Sequence, residues 1–249
     1  LCQCGRCGTA HKNPRPFREM STDYSILDLP EVLSFVFYPR NDWTDLPAGA
    51  SDHLVPVEAG VSISCRFYTA RTNGPSILFF HGNGEVACDY DGIAPLYQKM
   101  GLNLFVADYR GYGRSGGHPD ISHLFSDSHM VFQYFKDTLR AGRFSGGVVV
   151  MGRSLGSYPA VELASSHQSE LMGLIIESGF VSIARLLRNM GLALQLPGVV
   201  LLEKAHLDKV RSIQLPALVI HGEQDFLVPF QEGQALFNGL GSTEKRLVP

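Results

Sequence analysis

Short apolar runs alternate with longer segments of helical periodicity along most of the chain. Runs rich in Val, Ile, Leu and Phe predict buried strands, over 76–80, 102–107, 147–151, 171–176, 217–220 and 245–248. Apolar residues at helical spacing predict helices, over 89–100, 121–139, 156–166, 181–194 and 231–240. Residues 57–69 alternate between apolar and polar and predict a half-exposed strand. Strands that alternate with helices indicate an α/β fold, a mostly parallel sheet with helices on both faces.

The same pattern predicts one domain and a tail. Residues 1–22 are polar and punctuated by proline, which is typical of a disordered tail, and residues 23–249 form the predicted domain. Apolar clusters within 23–56 are expected to pack on the sheet edge. A small lid region is expected at about 181–206, where leucine and valine are dense. These residues either line an acyl pocket or form an amphipathic helix and a core-filling turn.

Composition and charge exclude several classes of partner. The chain has 249 residues, 45% hydrophobic and 18% charged, which is ordinary for a globular enzyme. A net charge of −3 gives no reason to expect nucleic acid or an anionic membrane as partner. No apolar run approaches the length of about 18 residues that a membrane span needs, and the first residues lack a signal-peptide core. We therefore expect a cytoplasmic protein.

Three of the five cysteines, Cys2, Cys4 and Cys7, crowd the first residues, with His11 close by. Three thiolates and an imidazole can bind zinc, and cysteines beside basic residues can carry lipid, which leaves membrane attachment open. The spacing C-x-C-x-x-C is not a standard zinc-ligand pattern, and this favours a leader without a metal site. We expect neither metal nor cofactor.

The chemistry is concentrated in Gly152-Arg153-Ser154-Leu155-Gly156, a G-x-S-x-G motif between a predicted strand and a predicted helix. This context is typical of a nucleophile elbow, a strained turn that exposes the serine hydroxyl. The glycines on either side let strand and helix approach closely.

Other polar residues also follow predicted strands. His81-Gly82-Asn83-Gly84-Glu85 follows 76–80, a glycine-rich loop that begins at Asp108 follows 102–107, Glu177 follows 171–176, and His221-Gly222-Glu223-Gln224-Asp225 follows 217–220. Function in open parallel sheets lies at the carboxyl ends of the strands. These loops are therefore expected to converge at one edge of the sheet.

The motifs HGNGE, DYRGYGRSGG, GRSLG and HGEQD, in this order, resemble the α/β-hydrolase family over about residues 57–249. Within it the chain is similar to the serine esterase, lysophospholipase and aminopeptidase-like branch. The resemblance implies that Ser154 is the nucleophile and Asp225 the triad acid, with Glu177 as an alternative acid. It also implies an oxyanion hole made by the backbone N–H groups of Asn83 and Leu155.

Two other loop residues have structural interpretations. His81 is expected to fix the loop that carries Asn83, and Asp108 to tie down the glycine-rich loop that follows it.

The triad order in this family is serine, acid, histidine, and no histidine follows His221. We expect the base to lie beyond the strand predicted at 245–248, in a natural chain that continues past Pro249. The alternatives are a histidine from an earlier loop, such as His118 or His123, or a relative without catalysis. Without its base, the 249-residue chain is expected to hydrolyse esters slowly or not at all.

The sequence thus predicts a serine hydrolase that cleaves small carboxylic esters or thioesters through an acyl-enzyme on Ser154 and uses no cofactor. An aminopeptidase-like amidase with the same triad is the closest alternative. A non-catalytic binding protein with the same fold is the alternative from another class.

Overall fold

The computed structural model describes residues 23–189, 191 and 198–249. The predicted tail, with Cys2, Cys4, Cys7 and His11, lies outside the described residues. Within the described part, eight strands are β1 (Ala50–Glu58), β2 (Val61–Tyr68), β3 (Ser76–Phe80), β4 (Asn103–Ala107), β5 (Val148–Arg153), β6 (Gly173–Glu177), β7 (Ala217–Ile220) and β8 (Lys245–Val248). The α-helices of that part are α1 (Pro30–Val36), α2 (Ala94–Lys99), α3 (Ile121–Ala141), α4 (Ser157–Ser166), α5 (Ile183–Asn189), α6 (Val199–Ser212) and α7 (Phe230–Gly239).

The strands form one sheet in the order β1-β2-β4-β3-β5-β6-β7-β8. Every neighbouring pair from β4 to β8 is parallel, whereas β1 and β2 pair antiparallel at one edge. Alternate side chains of the strands enter two separate cores. Helices α3, α4, α6 and α7 cover one face, and α2 with the preceding 3₁₀ turn packs on the other. The α/β fold class, with a mostly parallel sheet, is confirmed.

The strand predicted at 57–69 corresponds to β2 over most of its length, but its first residues belong to β1 and to a turn, because the chain forms a hairpin there. Residues Ala50–Glu58 and Val61–Tyr68 pair antiparallel around Gly60, which has a left-handed φ of 81°. The alternation of β1 was hard to detect because this edge strand is largely half-exposed. It also contains Pro56, a residue that sheets tolerate at their edges.

The helix predicted at 89–100 is divided into two pieces. A 3₁₀ turn, Ala87–Gly92, precedes α2, and Pro95 lies in the first turn of α2. Proline has no backbone N–H for a hydrogen bond to the preceding turn, so one continuous helix is disfavoured.

The expected lid region contains α5 and most of α6. Helix α5 lies within the helix predicted at 181–194, of which residues 190 and 192–194 lie outside the described residues. Helix α6 was missed, and it continues to Ser212, beyond the expected limit at 206. Its buried positions follow helical spacing. They are Val199, Leu202, His206 and Val210, of which the three apolar ones belong to the core cluster. Whether this region acts as a lid stays a prediction.

The first described segment packs on α3. Tyr24 stacks on Phe125 with ring centroids 3.8 Å apart, and the Asp28 carboxyl accepts a hydrogen bond of 2.7 Å from the Ile121 backbone N–H. Within residues 23–189, 191 and 198–249, no helix has the length and apolar character required to cross a membrane.

The junction between β5 and α4 leaves no space for side chains at its two glycines. A Cβ on Gly156 would lie 2.0 Å from the backbone oxygen of Phe80 in β3, and a Cβ on Gly152 would lie 2.1 Å from the backbone oxygen of Gly156. Both distances are far below van der Waals contact, and both neighbours are backbone atoms. The close approach of β3, β5 and α4 therefore requires glycine at these positions.

We expect Gly156→Ala to lower the free energy of unfolding by about 3 kcal/mol or more, because β3 would have to move to admit the methyl group. Urea denaturation measures the change. Gly92→Ala is the matched control, since nothing lies within 4 Å of a Cβ there. Equal stability of the two variants would contradict the close contact.

His206 is a buried histidine in the interface between α6 and α4. Its ring is 2% exposed and stacks on Tyr158 with centroids 4.1 Å apart, and neither nitrogen has a hydrogen-bond partner within the described part of the chain. Burial is the main cause that lowers the pKa of His206 to about 3; the charge of Lys209 contributes to this lowering, and Glu162 opposes it. The folded protein thus holds His206 in its neutral form. In the unfolded chain the same imidazole takes up a proton below about pH 6.5.

A histidine with a lowered folded pKa contributes stability above its unfolded pKa, and this contribution is lost as the pH falls from about 6.5 toward 3. We expect His206 to reduce the free energy of unfolding by about 2 kcal/mol between pH 7 and pH 5. Urea denaturation at both pH values should show a smaller pH dependence for His206→Phe, which keeps an aromatic ring against Tyr158. The exposed His118 provides the control as His118→Gln, and an unchanged pH dependence in His206→Phe would contradict the assignment.

Candidate functional site

Ser154 lies on a tight turn at the carboxyl end of β5. The 3₁₀ turn Ser154–Gly156 joins β5 to α4, and Ser154 has a left-handed φ of 49°. This conformation costs a residue with a side chain roughly 1–2 kcal/mol, so the surrounding packing must hold it in place. The side chain is partly exposed, and its hydroxyl makes no hydrogen bond with another described residue.

Leu155 and Asn83 lie on two neighbouring strand ends. Leu155 is in the first turn after β5, where backbone N–H groups have no partner within the helix. Asn83 lies in the loop after β3, the strand beside β5, and within the described residues its backbone N–H makes no hydrogen bond. The Asn83 side-chain oxygen accepts hydrogen bonds from the Tyr112 hydroxyl at 2.7 Å and the Tyr38 backbone N–H at 2.8 Å. The side chain is therefore anchored while the backbone N–H stays available.

His81 is fully buried at the start of the same loop. Its Nδ1 lies 2.8 Å from the Gly82 carbonyl oxygen and its Nε2 lies 3.1 Å from Oδ1 of Asp108. Both ring nitrogens are thus engaged within the loop and its support. These contacts agree with the loop-fixing role expected for His81 and leave it no free nitrogen for Ser154.

Asp108 is also buried, and its carboxyl group joins three parts of the chain. It accepts hydrogen bonds from the Ser64 hydroxyl at 2.5 Å and the Ala87 backbone N–H at 2.7 Å, in addition to its contact with His81. A Cβ on Gly113 would lie 2.2 Å from Oδ2 of Asp108, so the glycine-rich loop passes directly over the carboxyl group.

Glu177 ends β6 and faces Arg153. The Arg153 Nε lies 3.5 Å from Oε1 of Glu177, and its Nη1 lies 2.9 Å from Oε1 of Glu85. Burial raises the pKa of the Glu177 carboxyl above its ordinary value, Arg153 opposes this rise, and the charge of Glu85 adds to it. The carboxylate of Glu177, the alternative acid, therefore forms an ion pair with Arg153.

Asp225 lies in the loop after β7. One carboxyl oxygen, Oδ1, accepts hydrogen bonds from the backbone N–H groups of Leu227 at 3.0 Å and Val228 at 2.9 Å. The other oxygen, Oδ2, lies 3.9 Å from Nε2 of His221, beyond hydrogen-bond distance. The loop therefore fixes the carboxyl group through one oxygen and leaves the second one available.

His221 itself is fully buried, and its Nε2 lies 2.7 Å from the Val228 carbonyl oxygen. His118 is exposed, and His123 is paired at 2.5 Å with Asp120 at the start of α3. Neither the His118 ring nor the His123 ring contacts Ser154 in the described structure. A base for Ser154 is therefore not identified among these histidines.

The parallel strand order brings the candidates to one edge of the sheet. Asn83 follows β3, Ser154 follows β5, Glu177 ends β6 and Asp225 follows β7, and these four strands are neighbours in that order. Sequence reasoning missed the contacts of Glu85, Arg153, Tyr112 and Tyr38 around the site. Glu85 ends the HGNGE motif and Arg153 lies at the second position of GRSLG, and no spacing in the sequence indicates that they meet.

Curated relatives match about 70% of this chain. The chain is 30% identical over 190 residues to human Alpha/beta hydrolase domain-containing protein 17B, a match that covers 72% of this chain and 60% of the relative. It is 29% identical over 179 residues to Protein bem46 of Schizosaccharomyces pombe, covering 69% of this chain and 58% of that protein. The chain therefore spans about three fifths of the length of these relatives.

Solved structures share the fold. The esterase Pf2001 of Pyrococcus furiosus superposes with a TM-score of 0.66 at 21% identity, covering 84% of this chain and 88% of that one. Est1E of Butyrivibrio proteoclasticus, solved with ferulic acid bound, gives 0.66 at 18% identity over 79% and 88%. A monoglyceride lipase variant of Saccharomyces cerevisiae, solved with a substrate analogue, gives 0.63 at 17% identity over 85% and 88%.

A family model described as "Serine aminopeptidase, S33" (Hydrolase_4) matches residues 73–206, more than half of the chain. The matched span begins before β3 and includes the loop with Asn83, the elbow with Ser154 and the strand that ends at Glu177. Asp225 lies outside it. The match, together with the relatives and the shared fold, shows that this chain belongs to the α/β-hydrolase family.

Proposed function

We propose that the protein is a serine hydrolase that cleaves carboxylic esters or thioesters through an acyl-enzyme on Ser154. The observation that carries this proposal is the conformation of Ser154, a left-handed residue between β5 and α4 whose hydroxyl makes no hydrogen bond with another described residue. Backbone strain that the surrounding packing maintains is characteristic of functional residues. The membership in a hydrolase family supports the proposal.

In this mechanism the Ser154 hydroxyl attacks the substrate carbonyl and loses its proton to a base. The negative charge that develops on the carbonyl oxygen would be stabilised by the N–H groups of Leu155 and Asn83. Preorganised donors of this kind contribute roughly 3 kcal/mol each to the stability of the transition state. The ester C–O or thioester C–S bond then breaks, the alcohol or thiol leaves with the proton that the base took, and the acyl group stays on Ser154. Water, deprotonated by the same base, attacks the acyl-enzyme, releases the carboxylic acid and regenerates Ser154.

We assign the base to a histidine outside the described residues, because both ring nitrogens of His81 are engaged and His221 is fully buried, although its Nδ1 has no hydrogen-bond partner within the described residues. His81 contacts Gly82 and Asp108, and His221 contacts the Val228 carbonyl. Asp225 would orient the incoming imidazole. Its free Oδ2 can accept the imidazole N–H while Oδ1 remains held by the loop backbone.

The substrate class is proposed from the structural neighbours, which include the esterase Pf2001 and a monoglyceride lipase. The description of the matching family favours an aminopeptidase-like amidase as the second candidate. The two differ only in the leaving group that the same serine chemistry expels. A panel of p-nitrophenyl esters set against amino-acid anilides separates them.

The natural full-length protein is expected to form one covalent adduct with a fluorophosphonate probe, because such probes react with activated serines. Intact mass spectrometry measures the adduct, and Ser154→Ala should abolish it. Ser166→Ala is the matched control, since that serine is exposed at the far end of α4, away from the turn that carries Ser154. A natural protein that forms no adduct would favour a non-catalytic binding protein.

The two candidate acids can be separated by substitution. We expect Asp225→Asn to lower kcat on an ester by about 10⁴-fold, because an amide no longer holds the imidazole in its catalytic tautomer. Glu177→Gln should lower kcat by less than roughly tenfold, since Glu177 contacts Arg153 instead of an imidazole. Steady-state kinetics of both variants decide the assignment. The opposite ranking would identify Glu177 as the acid.

A further inference from the structure

An ionic bridge joins the turn that carries Ser154 to the loop that carries Asn83. Arg153 Nη1 lies 2.9 Å from Oε1 of Glu85. Arg153 directly precedes Ser154, and Glu85 lies two residues after Asn83. The bridge thus connects the two backbone segments that provide the proposed oxyanion donors, although they are far apart in sequence.

The Glu85 carboxylate is fixed on its inner side. Its Oε2 accepts hydrogen bonds from the Gly82 backbone N–H at 2.8 Å and the Tyr90 hydroxyl at 2.6 Å. Tyr90 is buried and packs edge-on against Phe79 of β3, with ring centroids 4.8 Å apart. Glu85 therefore connects the loop backbone, one residue before Asn83, to the core of the sheet.

Arg153 is fixed from its other side by Glu177 of β6, whose Oε1 lies 3.5 Å from Nε. Because β5 lies between β3 and β6, the guanidinium extends over the ends of three neighbouring strands. The side chain of Arg153 remains 43% exposed. Ion pairs with this exposure contribute little to the stability of a fold. The bridge is therefore expected to affect local geometry more than unfolding.

We propose that Arg153 and Glu85 are positioning residues that set the separation between the backbone N–H groups of Leu155 and Asn83. This inference rests on the proposed function. An oxyanion hole requires both donors within about 2.7–3.1 Å of one developing charge. The bridge holds the Asn83 segment against the Leu155 segment through charge, without contacting the substrate. Loss of the bridge leaves Ser154 in place, but the two N–H groups of the oxyanion hole no longer point at the same atom.

The test compares Arg153→Gln, Glu85→Gln and the double variant in the natural full-length protein. Gln at position 85 keeps an oxygen that can accept from Gly82 and Tyr90 but removes the charge that attracts Arg153. We expect kcat on a p-nitrophenyl ester to fall roughly 10- to 100-fold in each variant, with KM nearly unchanged, because misplaced donors weaken only transition-state binding. The double variant should be no slower than either single variant, and Arg153→Lys should recover part of the rate.

Arg140→Gln is the matched control, because Arg140 forms an exposed ion pair with Asp137 on α3. Its kcat and KM should equal those of the natural protein. A rise in KM alone for Arg153→Gln would overturn the proposal and would indicate that the guanidinium binds the substrate. Independent, multiplicative losses in the double variant would also overturn it, since residues of one bridge act as a unit.

Hydrogen exchange separates failure of this inference from failure of the proposed function. If the natural protein neither hydrolyses esters nor reacts with a fluorophosphonate, the proposed function fails. In that case exchange at residues 81–86 still tests the bridge. Faster exchange there in both Arg153→Gln and Glu85→Gln, but not in Arg140→Gln, supports the link between loop and turn. Unchanged exchange overturns it.

Discussion

The buried carboxyl group of Asp108 is the constraint on which the strand-end loops depend. It receives a hydroxyl from β2, a backbone N–H from the segment before α2 and a ring nitrogen from the loop after β3. A buried acceptor that loses its partners costs roughly 1–3 kcal/mol, so each of these contacts stabilises the others. The loop of Asn83 can remain open toward Ser154 because Asp108 fixes the first residue of that loop, His81.

Most of the fold was accessible from the sequence because the parallel strands are buried on both faces and read as continuous apolar runs. Strands β7 and β8 match their predicted limits, and β3 does as well. The edge strand β1 was missed because half-exposed residues carry a weak pattern. Helix α6 was missed because a leucine-rich segment indicates burial without distinguishing a core turn from an amphipathic helix.

The part of the candidate site that neighbouring residues in the sequence determine was predictable. The turn at Ser154 is encoded by a strand, two glycines and a helix within a few residues, and the structure places these as expected. The side chains that support the site were not predictable, since Tyr112 meets Asn83, and Arg153 meets Glu85, only after the sheet has formed. Local patterns identify the residues at strand ends, whereas tertiary packing selects their partners.

The strand order has a consequence for synthesis of the chain. After β3 and β4 pair, β5 adds to the free side of β3, and β6, β7 and β8 each add to the strand that was made immediately before. The hairpin of β1 and β2 joins the opposite side through β4. Among the described strands, β4 alone is inserted between two strands made before it, β2 and β3. A chain that emerges from its amino end can therefore extend this sheet outward in the order in which it is translated.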